Sequence, residues 1–503
     1  MTMDRDVATP STTAPRDTPD QGVGRLGHEM WVAHRPFLIA LGLGAVMRLV
    51  VSIAFPSAFI QGDGPTYLGL VDHFAVDPDR PVGYGVPLRV LSWISRDVTL
   101  VAITQHLLGL ATAVLVYALL RRWGVSGPIA TLATLPVLFD SMQLVLEHTI
   151  LSDVVFDFAI VLGISLLAWH RTPRARDAFV AGLVLGAAVL VRVVGEPVLI
   201  AGIVFCLMAC HAWRPRLVTS AALCIAFLLP IAAYATWYHE SRGVWALTEF
   251  GGKALYMRTT TFVDCSRFSM PEYEAALCPI DPLGERQDPT EYGWHDPTTI
   301  PALEPPPGVS DDEAMHAFAT RAIRAQPLDY LRVATRDFAM NFYPERKDLA
   351  EYDTADKWLF ETWVDYEPTD WTGPAYDAHG GPMHESLQPI AGLVAAYGQK
   401  VFLRGPLLLG CLLLALCGIA VRRRSVVPDV RPLAVLTVAV GTGLMLVPDL
   451  TAEFIWRYQL PAVILLPMAA ALGWTRLRTP QPDPPSARDE PLVSTSSARG
   501  QGR

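Results

Sequence analysis

The chain alternates long apolar runs with short polar connections, then breaks that rhythm once with about 160 mostly polar residues before three further apolar runs. A helix that crosses a bilayer needs roughly 20 predominantly apolar residues. On that measure the pattern predicts ten spans, at about 37–56, 98–120, 126–142, 149–169, 177–192, 196–211, 217–238, 402–421, 431–448 and 454–475; the fifth and sixth are short and interrupted. The expected fold is therefore an all-α polytopic membrane protein. It comprises a seven-helix block (36–238) with its first outside loop at 57–97, an acidic, mainly α domain (239–400) and a three-helix block (401–476). No internal repeat is visible. The polar ends, 1–35 and 477–503, read as disordered tails. No small-residue cleavage site follows the first apolar run, which reads as a retained span.

Period and punctuation predict more inside the polar segments. DDEAMHAFATRAIRAQ (311–326) places acids in a first helical turn, where the positive helix end favours them. Pro327 starts a second helix that stops before Pro344. In the first loop, GVPLRVLSWISR (85–96) sets Val86, Leu88, Leu91, Trp93 and Ile94 among polar neighbours, the pattern of a helix lying in the membrane interface. The aromatics and acids interleaved after residue 343 fit two arrangements: a surface facing carbohydrate or headgroups, or the aromatic core of a small acidic domain.

Composition agrees with the pattern: 51% of the 503 residues are hydrophobic and only 18% charged, with a mean hydropathy of +0.30, which excludes a soluble protein of this size. Charge adds orientation. Arg121-Arg122, HRTPRAR (170–176), HAWRPR (211–216), Arg422-Arg423-Arg424 and RLR (476–478) fall at every second connection, so the positive-inside rule puts both termini in the cytoplasm. Residues 239–400 carry 27 acids against 13 bases, a balance of −14 where the whole chain has −9; this acidic part lies outside. Ala, Val, Arg and Pro usage suits a GC-rich bacterium, hence a bacterial plasma membrane. Of seven cysteines only Cys265 and Cys278 share the outside segment, in a compartment that permits disulfides, and a bridge between them is expected.

Sorting the polar residues by side leaves most of the unusual ones at the outer face: Asp63; Glu147, His148 and Asp153; Arg192 and Glu196; Asp449, Glu453, Arg457 and Tyr458. Ionisable groups at membrane depth cost several kcal/mol unless paired or hydrated, and mark substrate paths or internal ion pairs. Each has a plain reading beside the functional one. Asp63-Gly64-Pro65 also suits the start of a helix, and Glu147 and His148 suit a solvated turn. Asp153 and Asp157, four apart on one face, must meet a cation, a metal or a proton. With His148 they leave a divalent metal open, though no tight ligand spacing supports one. Arg192 and Glu196, and Glu453 and Arg457, are i,i+4 pairs; Gly195 and Pro197 break the helix beside the first, and Thr451 offers a cap for the last span. Two arginines at one membrane face suit a lipid phosphate.

GDGPTYLGL after the first span, LEHTILSDVVFDFAIVLG, VLVRVVGEPVLIAG, ATRAIRAQPLDYLRVATRDFAMNFYP and EFIWRYQLPAVILLP occur in this order. In them the chain resembles the GT-C superfamily of membrane glycosyltransferases, in the polyprenyl-phosphate-sugar-dependent branch of protein O-mannosyltransferases and aminoarabinose transferases. The resemblance spans most of 37–475. It implies transfer of a sugar from a polyprenyl-phosphate donor to a glycan, lipid or protein acceptor outside, with Asp63 as catalytic base. Glu147 or Asp153 would be a second acid, and Arg192, Arg457 and Tyr458 would face the donor phosphate. Tyr67, His148, Glu196 and Glu453 would line the site. One departure is plain: protein mannosyltransferases have an adjacent acidic pair in the first loop, whereas Gly62 and Gly64 flank Asp63 here. No nucleic-acid partner is expected, and oligomeric state is left open. The competing classes are a flippase for lipid-linked sugars, which would show mid-membrane charges in two mirrored halves, and a non-catalytic assembly subunit of the same fold.

Overall fold

A computed structural model describes residues 19–346, 355–361, 373–380, 385–421 and 429–478. Among them every regular element is helical; a single-residue bridge between Phe59 and Thr149 is the one extended pairing. The first block runs α1 (Pro19–Ala54), α2 (Gly64–Asp72), α3 (Gly85–Ser92), α4 (Val98–Arg122), α5 (Gly127–Phe139), α6 (Ser141–His148), α7 (Asp153–Ala168), α8 (Ala175–Val191), α9 (Val198–Ala209) and α10 (Trp213–Arg242). The acidic segment contains α11 (Gly251–Thr260), α12 (Asp311–Ala325), α13 (Pro327–Met340), the short α14 (Gly373–Ala375) and α15 (Ile390–Gly398). α16 (Gly405–Ala420), α17 (Arg431–Thr451) and α18 (Leu460–Arg478) complete the chain.

Five of these helices are long and apolar enough to cross a membrane, or six if the bent pair α5–α6 counts as one, where the hydrophobic pattern predicts ten spans. The shortfall has a local cause. α7, α8, α9 and α16 have 16, 17, 12 and 16 residues, and at about 1.5 Å per residue the longest reaches only ~25 Å of a hydrocarbon core of roughly 30 Å. Their predicted ends are spent on irregular backbone. Ser152 precedes α7, and the Arg192–Pro197 stretch divides α8 from α9 with a single 3-10 turn. The predicted third span bends by 48° because Asp140 caps α6 afresh: its Oδ1 accepts from Met142 N at 2.9 Å and its Oδ2 from Leu403 N at 2.7 Å.

The helices pack by close approach. α8 lies along α10, where Gly182 and Gly186, one helical turn apart, meet the carbonyls of Leu223 and Phe227 too closely to admit a side chain. One apolar core runs from Phe37 on α1 to Leu472 on α18. The acidic segment has its own smaller core, including Tyr256, Leu277, Tyr292 and Phe318. Cys265 and Cys278 are joined as a disulfide at its edge. α12 carries a full capping box between Ser310 and Glu313.

Two expectations are revised. Thr451 ends α17 and bonds back to Val447 O at 2.8 Å, so it caps nothing in α18. The described aromatics after residue 343 form neither an open surface nor a separate core. Trp358 packs with Phe454 and Trp456, and Phe360 stacks on Phe55 at 5.3 Å; the acidic segment is thereby clamped onto the membrane block. Tyr352, Trp363, Tyr366 and Trp371 lie outside the described residues.

The helix ends sort into two layers. Near one lie Arg122, bonded to Trp169 O, Arg171 over the Trp123 ring, and Arg476, paired with Asp429. Near the other, Asp63, Asp153, Arg192 and Arg457 gather beneath the acidic segment.

Candidate functional site

The loop after α1 is tied to the α6–α7 connection: Phe59 N donates to His148 O and Ile150 N to Phe59 O, both at 2.9 Å. Gly62 then takes a left-handed φ of +55°, which L side chains rarely adopt, and turns the chain into α2. A Cβ on Gly64 would stand 3.1 Å from Ile150 O, so that glycine serves packing against the same connection. The turn leaves Asp63 at the N-cap position of α2 facing the start of α7.

Asp63 makes no side-chain bond to its own helix. Its Oδ1 instead accepts from Arg80 Nη2 at 2.9 Å, and its Oδ2 stands 3.7 Å from Arg457 Nη2. The helix-start reading therefore does not account for the carboxylate. Burial pushes the Asp63 carboxyl up, but the Arg80 and Arg457 guanidinium groups more than offset it and hold it at about 2.

Around this pair stand the other groups. Arg192 leaves the broken end of α8 and pairs with Asp153 at 2.7 Å, not with its i,i+4 neighbour Glu196, which is exposed. Tyr67, inside α2, donates to Ser152 Oγ at 3.2 Å, and Arg192 approaches the same oxygen at 3.4 Å. Burial, and then the charge of Asp63, raise the Tyr67 phenol above its ordinary value, so it stays neutral. Each arginine lays its face on aromatic rings. Arg80 stands 4.6 Å from the Phe250 centroid and 5.6 Å from that of Trp294; Arg192 is 5.4 Å from Tyr458; Arg457 is 4.9 Å from Trp358 and 5.5 Å from Tyr458. Their edges point into the acids. Three guanidinium groups thus stand against the carboxylates of Asp63 and Asp153. One turn deeper, neither carboxylate oxygen of Asp157 has a hydrogen-bond partner among the described residues.

Residues 93–264 match the family model of dolichyl-phosphate-mannose-protein mannosyltransferases. That family is of the GT-C type. No curated protein and no solved structure gives a significant match. The GT-C match holds Glu147, His148, Asp153 and Arg192 but stops short of Asp63 on one side and Arg457 on the other. Over that block the chain is similar to a glycosyltransferase family, and its apolar helices are those of a membrane protein.

Not every residue singled out from the GT-C resemblance joins the cluster. Both oxygens of Glu147 are engaged inside the bundle: Oε1 accepts from Arg48 at 2.6 Å and Gln143 at 2.9 Å, and Oε2 meets His106 Nδ1 at 2.8 Å. His148 contacts His106 and the Ser57 carbonyl, each at 3.2 Å. Arg48 is further held by the carbonyls of Gly44, Val137 and Leu138. This is a buried polar strut between α1, α4 and α6, not a solvated turn. Glu453 accepts from Thr290 at 3.0 Å and so links the loop after α17 to the acidic segment. Among the described residues no three His, Cys, Asp or Glu side chains form a metal-ligating group.

Arg80, Ser152 and Trp358 are the site's additions. Arg80 had one legible signal: in VDPDRPVGYG it is a base between prolines on the side of the chain otherwise rich in acids, with Asp77 Oδ1 accepting from the backbone of Asp79 and Arg80 to fix the turn. Trp358 was one of the interleaved aromatics after residue 343, and Ser152 had no signal.

Proposed function

We propose that the protein is a membrane glycosyltransferase that moves a sugar from a polyprenyl-phosphate carrier to a hydroxyl of a glycan, lipid or protein acceptor. The Asp63 end of the bundle would face outside the cytoplasm of a bacterial cell. Asp63 takes the acceptor's hydroxyl proton, the acceptor oxygen bonds to the sugar's anomeric carbon, and the carbon–phosphate oxygen bond breaks with its electron pair going to the phosphate. Arg457, Arg192 and Tyr458 bind that phosphate. Asp153 aims Arg192, Tyr67 and Glu453 line the site, and Glu147 and His148 support it from within the bundle.

The observation that carries this reading is the convergence of two arginines, Arg80 and Arg457, on a carboxylate that its own helix does not use, with a third arginine held beside them by Asp153. A flippase would need open charges along the bundle. Of the deeper charged groups, Arg48 and Glu147 are closed on each other and on carbonyls, and Asp157 is the acid left without a hydrogen-bond partner among the described residues; one such acid is not a row of open charges, which favours the enzyme. In proteoliposomes given labelled polyprenyl-phosphate mannose and an envelope acceptor extract, Asp63→Asn should lower transfer by about 10²-fold or more without loss of folded protein. Arg457→Ala should chiefly raise the donor KM. Undiminished transfer by Asp63→Asn would remove Asp63 from the reaction, and chelation in the same assay decides whether a divalent ion takes part.

A further inference from the structure

The proposed base is spent as it stands: Asp63 is ion-paired to Arg80 and to Arg457, the second of which is a proposed ligand of the donor phosphate. A carboxylate so paired is a poor proton acceptor, and an arginine so paired is a poor phosphate ligand. Resting on the glycosyltransferase reading above, we infer that Arg80 and Arg457 are shared between Asp63 and the donor phosphate, so that Asp63 is masked until an anionic donor headgroup draws the two guanidinium groups away.

The geometry suits an exchange of partners. Arg80 and Arg457 are held by their faces, on Phe250 and Trp294 and on Trp358 and Tyr458, while their N–H edges face Asp63. Face contacts survive when the edge changes partner. Arg457 meets Asp63 at 3.7 Å, outside normal hydrogen-bond length, and its Nε is buried with no hydrogen-bond partner, so donors remain to be used. The chemistry drives the exchange in the right direction. A polyprenyl-phosphate sugar is a phosphodiester with one negative charge, and cleavage leaves a monoester that carries a second. Attraction for the arginines thus grows as the carbon–oxygen bond breaks, when Asp63 must take the acceptor's proton. Arg80 thereby ties the base strength of Asp63 to donor occupancy. The charged and titratable groups facing Asp63 are Arg80 and Asp79 on the loop, Tyr67 on α2, Arg192 after α8, and Arg457 and Tyr458 before α18.

Two measurements test the sharing. kcat/KM for the donor reports the free enzyme and kcat the donor complex, so the acid limb of kcat should lie about one pH unit or more above that of kcat/KM. The latter should stay below 3.8 in the wild type, where Asp63 titrates at about 2, and move up in Arg80→Gln. Coincident limbs, or a kcat/KM limb unmoved by Arg80→Gln, would overturn the inference. The second measurement needs no turnover: infrared difference spectra on adding polyprenyl monophosphate to the full chain in vesicles should show a carboxylate change that is lost in Asp63→Asn. Saturable binding without that signal sinks the sharing and leaves the donor reading standing. No saturable binding sinks both.

Discussion

At the scale of single residues, the arginine pairing of Asp63 carries a stability consequence that is separate from catalysis. Its folded carboxyl titrates at about 2 against an ordinary 3.8, so folding binds fewer protons at Asp63 than unfolding does. The contribution is full above 3.8, is lost as pH falls from 3.8 toward 2, and amounts to about 2 kcal/mol at neutral pH. Wild type should therefore outlast Asp63→Asn in thermal unfolding at pH 7, and the gap should narrow below pH 4. A gap independent of pH would show that the Asp63 pairs do not stabilise the fold. The same residue illustrates what sequence can carry. That Asp63 sits after a span, at the face that also carries other acids and arginines, was legible from GDGPTYLGL and the hydrophobic run before it. That its partners are Arg80, 17 residues on, and Arg457, from the far end of the chain, was not. An i,i+4 spacing suggested Glu196 for Arg192 and Glu453 for Arg457. Such spacing offers a partner only where the helix continues, and both pairs sit at breaks, where backbone direction and tertiary contacts choose instead.

At the scale of elements, most of the helices follow from apolar periodicity, and the errors cluster at polar residues inside apolar runs. Asp140 is the clearest case: within a run that reads as one span it restarts the helix, because a carboxylate that caps Met142 N and bonds Leu403 N is better satisfied than one facing lipid. Glu147 shows the opposite outcome. It stays helical because Arg48, Gln143 and His106 meet it inside the bundle, and α4 makes room with Gly109. A Cβ there would stand 1.7 Å from Glu147 Oε1 and 2.9 Å from Arg48 Nη2. Gly109→Ala should break the pair, at a cost of about 3–5 kcal/mol, read as a fall in unfolding temperature in detergent. Gly42→Ala, with nothing within 4 Å of its Cβ, is the control and should change stability little. Equal effects of the two substitutions would mean that the strut does not hold α4 to α6.

At the scale of the whole molecule, the basic helix ends and the acid–arginine cluster occupy opposite ends of one bundle, and that separation links fold to function. The acidic segment above the cluster has a core of its own, and its Trp358 closes on Arg457. For this arrangement to serve a carrier loaded in the cytoplasm and spent outside, the arginine-rich end must face inward. The positive-inside bias of 121–122, 170–176 and 476–478 argues for that orientation. The acidic segment's negative balance argues for it weakly, since acids contribute little to topology. Thr172 and Glu285 are both exposed, the first beside the basic ends and the second in the acidic segment. Introduced as single cysteines in intact cells, Glu285→Cys should react with a membrane-impermeant maleimide and Thr172→Cys only after the membrane is opened. Labelling of Thr172→Cys from outside would invert the bundle, put the Asp63 cluster in the cytoplasm and defeat the acceptor assignment, whatever the cluster's chemistry.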